Sequence, residues 1–234
     1  VYEIYADEDI VTLDGTIRAK KGELLGRIET GAGGSGTSGL LYLGRYKIVE
    51  KKSPFGMTLN PDPQIVELTY AGQEVEITTV SAAFYNERQK VQIDLTKVLE
   101  QDERFGIGMN GEILSVQFGL YAAEPLEAAD GSVIPKDGLL EIVSCDENGK
   151  VVFSTDIPAG AKLYVKEYST DGHYQINDQI YPVEYEYAGQ DVAVVHISIN
   201  GGEPICNEII RSSVMWKKVD EDGFTICGAV FGLF

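Results

Sequence analysis

The chain has 234 residues, with 19 Lys and Arg against 37 Asp and Glu, for a net charge of −18. That balance argues against nucleic acid and anionic membrane surfaces as partners and describes a solvated acidic exterior. Glycine (26) and tyrosine (13) are plentiful while helix-period stretches are few, so the class is all-β with many turns.

Taken in order, the chain opens on strand-like Val1–Tyr5, then a turn at Asp14-Gly15. Gly31 to Gly39 (GAGGSGTSG) is a low-complexity loop without the Gly-Lys-Ser/Thr ending of a phosphate-binding loop. A strand follows in which Tyr46, Ile48 and Glu50 share one face and Lys47, Val49 and Lys51 the other. Tyr70-Ala71-Gly72-Gln73 comes next, and alternating apolar residues run to Phe84-Tyr85-Asn86.

After a joint at Glu87-Arg88-Gln89 the pattern starts again with a strand whose Val91, Ile93, Leu95 and Lys97 point one way. Phe118–Glu124 then matches Tyr2–Glu8, and Asp130-Gly131-Ser132-Val133 matches Asp14-Gly15-Thr16-Ile17. In the strand Ala161–Glu167, Leu163, Val165 and Glu167 share a face, as Tyr46, Ile48 and Glu50 do. Tyr187–Gln190 repeats Tyr70–Gln73, twenty residues after each glutamate, and Ile205-Cys206-Asn207 matches Phe84-Tyr85-Asn86. The second copy carries about four more residues there, and Asn200-Gly201-Gly202-Glu203 reads as a hairpin turn.

A second joint falls at Ile210-Arg211-Ser212. Val214, Trp216 and Lys218 then alternate as Ile93, Leu95 and Lys97 do, an acidic turn follows at Asp220–Gly223, and Val230–Phe234 repeats Gln117–Tyr121. The internal repeat therefore defines three units. Residues 1–89 are a β-sandwich lacking its first strand, 90–211 a complete one, and 212–234 the opening strands of a third. The joints are too short for flexible linkers, which implies rod-like stacking. Both ends are abrupt, and the chain reads as a segment of something longer.

Three polar residues of the complete unit lie in phase with apolar neighbours: Lys97, Glu167 and Asn207. Burial lowers a lysine's pKa and raises a glutamate's. A neutral lysine is a nucleophile, and a protonated carboxylic acid polarises a carbonyl. Together they would let the Lys97 amine attack the Asn207 carboxamide, release ammonia and leave an isopeptide, with Glu167 donating to the oxyanion and shuttling protons. The plain alternative is a buried Lys–Glu ion pair capped by an asparagine, or side chains that snorkel out at strand ends.

Other candidates are weaker. The cysteines (Cys145, Cys206, Cys227) form no CxxC pair and only two histidines exist, so neither a zinc site nor a disulfide framework is expected. His173 and His196 have no triad partners. Asp220–Gly223 lacks the later glutamate of a calcium loop. No cofactor is implied, no apolar run reaches membrane-spanning length, and no signal peptide opens the chain.

Lys-Val before an acidic turn, then Phe-Gly-Leu-Tyr, then the glutamate strand and a closing asparagine resembles the collagen-adhesin B-type (SpaA/Cna-B, prealbumin-like) domains of Gram-positive surface proteins and pilins. Leu43–Gly56 (LGRYKIVEKKSPFG) is especially similar to the family's glutamate segment; after Glu167 the chain reads Tyr168-Ser169-Thr170-Asp171-Gly172 instead. The resemblance implies tandem Ig-like sandwiches and an autocatalytic Lys97–Asn207 isopeptide assisted by Glu167. It gives the first unit Glu50 and Asn86 without a lysine, and the third Lys218 without its partners. Two readings stand side by side: Lys218 and Asn86 as an inter-unit pair formed by strand donation between molecules, or ends of the segment that fall arbitrarily within the repeat.

The expected role is a stalk or fibre segment of a cell-surface adhesin or pilin, with neighbouring repeats or subunits as partners. One turnover per domain is not enzyme activity in the usual sense. A different reading is a binding module that offers the Gly31–Gly39 loop, or Tyr181, Tyr185 and Tyr187, to a glycan or host matrix protein.

Overall fold

A computed structural model describes residues 1–128 and 130–232. The strands are β1 (Tyr2–Ala6), β2 (Ile10–Val11), β3 (Ile17–Ala19), β4 (Leu24–Ile28), β5 (Gly44–Glu50), β6 (Gln64–Leu68), β7 (Lys90–Leu99) and β8 (Gln117–Ala122). They continue with β9 (Leu126–Glu127), β10 (Val133–Ile134), β11 (Leu139–Ser144), β12 (Lys150–Phe153), β13 (Lys162–Ser169), β14 (Tyr181–Glu184), β15 (Val194–Ser198) and β16 (Ile205–Asn207). Two short 3-10 turns complete the regular structure among the described residues. The protein is all-β.

The sequence repeat is also a repeat of sheet topology. The first copy forms a sheet in the order β4-β1-β5-β6 and the second in the order β11-β8-β13-β14. The registers match as well. Tyr2 faces Glu50 and Ile4 faces Ile48 across β1–β5, while Phe118 faces Glu167 and Leu120 faces Val165 across β8–β13.

The second copy adds an opposing sheet, β12-β7-β15, with β16 also on β7. Its inward residues Val91, Ile93 and Leu95 meet Phe118, Leu120, Leu163 and Val165 in one core. This is a β-sandwich: alternate residues of both layers are withdrawn from water. β7 follows strict alternation from Val91 to Lys97, every second side chain being buried.

Three expectations need correcting. The first copy lacks more than one strand, because among the described residues its main sheet is accompanied only by the two-stranded β2-β3 ladder and nothing matches β12-β7-β15. Its buried apolar cluster has five members against eighteen in the second copy, so there is little for an opposing layer to close on. The Gly31–Gly39 stretch stands where the second copy has β12, and glycine is a poor strand former.

Asn200–Glu203 is not a hairpin turn. β15 and β16 both run parallel to β7. Ser198 faces Asp94 and Ile205 faces Lys97, so seven steps on one side meet three on the other. The four extra residues are extruded as a 3-10 turn with Asn200 and Gly201 at positive φ, and one edge strand continues beyond it.

The opening strands expected over 212–234 do not form. The described residues there hold a single bridge, Val219 to Thr225, closed by Asp220 accepting from the Asp222 and Phe224 amides. Val214, Trp216 and Lys218 are exposed rather than inward. With no facing sheet, a lone strand pair is marginal. Leu233 and Phe234 of the expected closing strand lie outside the described residues.

The joint between the copies is tightly bonded. The Gln89 side chain, 1% exposed, donates to the Gly189 and Val192 carbonyls at 2.9 and 2.6 Å and accepts from the Ala188 amide at 2.9 Å. The Tyr187 hydroxyl donates to the Met57 carbonyl, Leu59 N–H donates to the Gln190 carbonyl, and Arg88 pairs with Asp156. The second Tyr-Ala-Gly-Gln segment is thus a clasp on the first copy.

Candidate functional site

Strand phase brings the three expected residues of the second copy together. Lys97 is the last fully buried residue of β7, Glu167 of β13, and Asn207 closes β16. They are 1%, 4% and 2% exposed. Lys97 Nζ donates to Asn207 Oδ1 at 2.5 Å, and Asn207 Nδ2 donates to Glu167 Oε1 at 2.6 Å. The other carboxylate oxygen, Oε2, lies 3.5 Å from Lys97 Nζ and accepts from the Asn177 amide at 3.0 Å. Burial holds the Lys97 amine below its usual pKa, and the attraction of Glu167 only partly opposes this.

The carboxylate therefore touches both the amine and the carboxamide nitrogen. The expectation had Glu167 donating to the carbonyl oxygen; instead that oxygen receives the lysine, and the glutamate faces the nitrogen that would leave. Cleared of water, an amine held on the carboxamide can react within the site, and the carboxylate can relay its proton. The ring of Phe118 walls the site, 5.8 Å from Nζ. Nearby Cys145 is buried, which pushes its thiol up to about 12 and leaves it unreactive.

The first copy assembles two of the three parts. Asn86 Nδ2 donates to Glu50 Oε2 at 2.6 Å and to the Thr58 carbonyl at 2.9 Å. Glu50 Oε2 also accepts from the Asn60 amide at 2.8 Å. No lysine reaches Glu50 or Asn86 among the described residues, and Lys218 is exposed.

Sequence reasoning missed two supports. Asn60 and Asn177 each stand ten residues after the glutamate, and each holds a tight turn by accepting from the amide two residues on, Asp62 and Gln179. That turn aims the asparagine's own N–H at the carboxylate; the shared spacing was the available signal. Thr170 Oγ1 accepts from Asn207 Nδ2 at 3.0 Å, and it had no signal at all.

The tyrosines expected to present a binding face do not. Tyr181 and Tyr185 are buried, Tyr185 donating to the Gln89 carbonyl, and Tyr187 is spent on the clasp. His173 pairs with Asp171 at the surface. No cluster of metal-ligating side chains and no helix long and apolar enough to cross a membrane occur among the described residues.

No family model matches the chain, and no curated protein matches it in sequence. Solved structures do. The Bacillus anthracis TIE protein superposes with a TM-score of 0.54 at 18% identity, over 90% of this chain and 31% of that one. The C-terminal fragment of the pilus adhesin SpaC from Lactobacillus rhamnosus GG follows at 0.40 and 12%, over 92% and 90%. GBS52, the minor pilin of Streptococcus agalactiae, gives 0.34 and 17%, over 93% and 85%. The fold is shared with that part of the TIE protein. At these identities the likeness is one of fold alone, and the chain spans about a third of the length of the TIE protein.

Proposed function

We propose that the chain is a stalk or fibre segment of a Gram-positive cell-surface adhesin or pilin, whose sequence repeats over 1–89, 90–211 and 212–234. In this reading an autocatalytic Lys97–Asn207 isopeptide closes the middle unit. The observation that carries it is the enclosed contact of Lys97 Nζ with Asn207 Oδ1 at 2.5 Å, with Glu167 on both partners. A buried ion pair kept only for stability is a weak design, since desolvating two charges offsets most of their attraction.

The neutral Lys97 amine attacks Cγ of Asn207. Glu167 takes the amine's proton and returns it to Nδ2, which departs as ammonia. A secondary amide remains, and each domain turns over once. The cross-link closes a loop of 110 residues, worth on the order of 4–5 kcal/mol in the chain-entropy account.

Peptide mapping of the denatured protein tests this. The expected product is a branched peptide joining residues 97 and 207, absent from a Lys97→Ala variant. Separate linear peptides carrying free Lys97 and Asn207 would refute the bond.

A further inference from the structure

Asn207 Nδ2 is held at both of its hydrogens. One goes to Glu167 Oε1 at 2.6 Å and the other to Thr170 Oγ1 at 3.0 Å. The oxygen and nitrogen of a carboxamide are nearly equal in size, so hydrogen bonds decide which of them faces the lysine. With both Nδ2 hydrogens taken, Oδ1 is left to receive Lys97 Nζ at 2.5 Å. Turned over, the group would set Oδ1 against the Glu167 carboxylate and an N–H against the amine.

Thr170 does not reach the site from a slack loop. The segment after β13 is sewn to the chain just past Asn207. Tyr174 bridges to Ile209, Gln175 N–H donates to the Glu208 carbonyl at 3.0 Å, and Ile210 N–H donates to the His173 carbonyl at 2.8 Å. Tyr174, 2% exposed, donates its hydroxyl to the Glu100 carbonyl at 2.9 Å, and Glu100 N–H donates to the Asn207 carbonyl at 3.0 Å. The spacing between Thr170 and Asn207 is therefore built in.

The first copy keeps the same grip with a different group. Asn86 Nδ2 donates to Glu50 Oε2 at 2.6 Å and to the Thr58 carbonyl at 2.9 Å. In both copies the nitrogen has one carboxylate and one neutral acceptor, although Thr58 and Thr170 do not correspond in the repeat.

We propose that Thr170 is a further catalytic residue of the Lys97–Asn207 reaction, in contact with the nitrogen that leaves. Before the reaction it fixes the carboxamide with its oxygen toward the amine. Nζ then bonds Cγ, and the carbonyl electron pair moves onto Oδ1. Glu167 takes a proton from Nζ and passes it to Nδ2, which becomes cationic. The hydrogen bond to Oγ1 is now charge-assisted, stronger than in the resting amide, and this lowers the barrier to departure. As the carbonyl re-forms, the C–N bond breaks with its electron pair on nitrogen, and ammonia leaves past half-buried Thr170. Thr170 itself ends unchanged. The inference rests on the cross-link proposed above.

A pair of variants tests it. Thr170→Val removes the hydroxyl and keeps the shape, while Thr170→Ser keeps the hydroxyl. Unfolded, uncrosslinked chain is diluted from denaturant; ammonia loss is followed by intact mass and folding separately by circular dichroism. Thr170→Val should fold as fast as wild type and lose ammonia at least about tenfold more slowly. Its rate should flatten at the same pH as that of wild type, because the Lys97 amine sets that pH. Thr170→Ser should recover most of the wild-type rate. Ammonia loss from Thr170→Val as fast as from wild type overturns the proposal. Equal slowing in Thr170→Ser also overturns it, by assigning the effect to packing. A wild type that loses no ammonia is a distinct result, which refutes the cross-link and removes the role of Thr170 with it.

Discussion

Lys97 reaches Asn207 diagonally. Across parallel β7 and β16 the residue level with Lys97 is Ile205, and Asn207 is level with Leu99. A two-residue offset keeps both side chains on the inner face, within reach of a long side chain. Because the strands are parallel, tension applied at Lys90 and beyond Asn207 would shear β7 against β16, and a bond at this diagonal would short-circuit that shear.

Force spectroscopy should therefore find the second copy almost inextensible, since residues 98–206 lie outside the loaded path. In Lys97→Ala the same pull should release the chain between positions 97 and 207, a separation of 110 residues, for a gain of roughly 360–400 Å of contour. Equal extension of wild type and variant would place the whole chain under load.

Bond formation should depend on pH through the amine. Burial holds Lys97 below its ordinary value of 10.5, so the neutral nucleophile becomes available earlier than on an exposed lysine. During refolding, the rate of ammonia loss should climb with pH and flatten before 10.5. In an uncrosslinked Asn207→Ala variant, stability should rise with pH between the lowered folded pKa and 10.5. There the unfolded chain binds the proton that the native state has released. A rate still climbing at 10.5 would mean the amine is solvated.

Much of this was legible because the two-residue period is strict where both faces matter. Tyr46-Ile48-Glu50 and Leu163-Val165-Glu167 each placed a carboxylate inward, and the structure seats both glutamates in the same register, opposite Tyr2 and Phe118. What failed depends on partners that no local pattern encodes. Val214, Trp216 and Lys218 have the right alternation, but alternation buries nothing without a facing sheet. Asn200–Glu203 has turn chemistry, yet whether a glycine-rich turn reverses a strand or merely interrupts it is decided by the neighbour, here β7. Thr170 entered the site through the path of a loop, which carries no periodicity.

The clasp between the copies should respond to Gln89. Gln89→Ala strips partners from the Ala188 amide and the Gly189 and Val192 carbonyls. Each of these groups costs about 1–3 kcal/mol where it stays buried. The variant should lose stability toward urea and become cleavable near residues 87–90 by limited proteolysis. Unchanged urea midpoints and cleavage would show that the joint is held elsewhere.

Acid should loosen the far end of the second copy. Arg211 bonds Glu100 through both oxygens, and the Ile209 amide adds a third contact, holding this carboxyl at about 2 rather than 4.5. A lowered carboxyl pKa stabilises the fold above 4.5, and that contribution disappears as pH falls through about 2. Glu100→Gln should thus be less stable than wild type at neutral pH and converge with it in acid, by an amount that salt reduces. A gap independent of pH would remove the charge from the explanation.

The central claim is the Lys97–Asn207 bond, and the intact mass of the denatured protein tests it most directly. Wild type should weigh one ammonia less than its sequence, while Lys97→Ala should match its sequence. A wild-type monomer at its full sequence mass would mean that Lys97, Glu167 and Asn207 form only a buried polar cluster, and the tension-carrying role would fall with the bond.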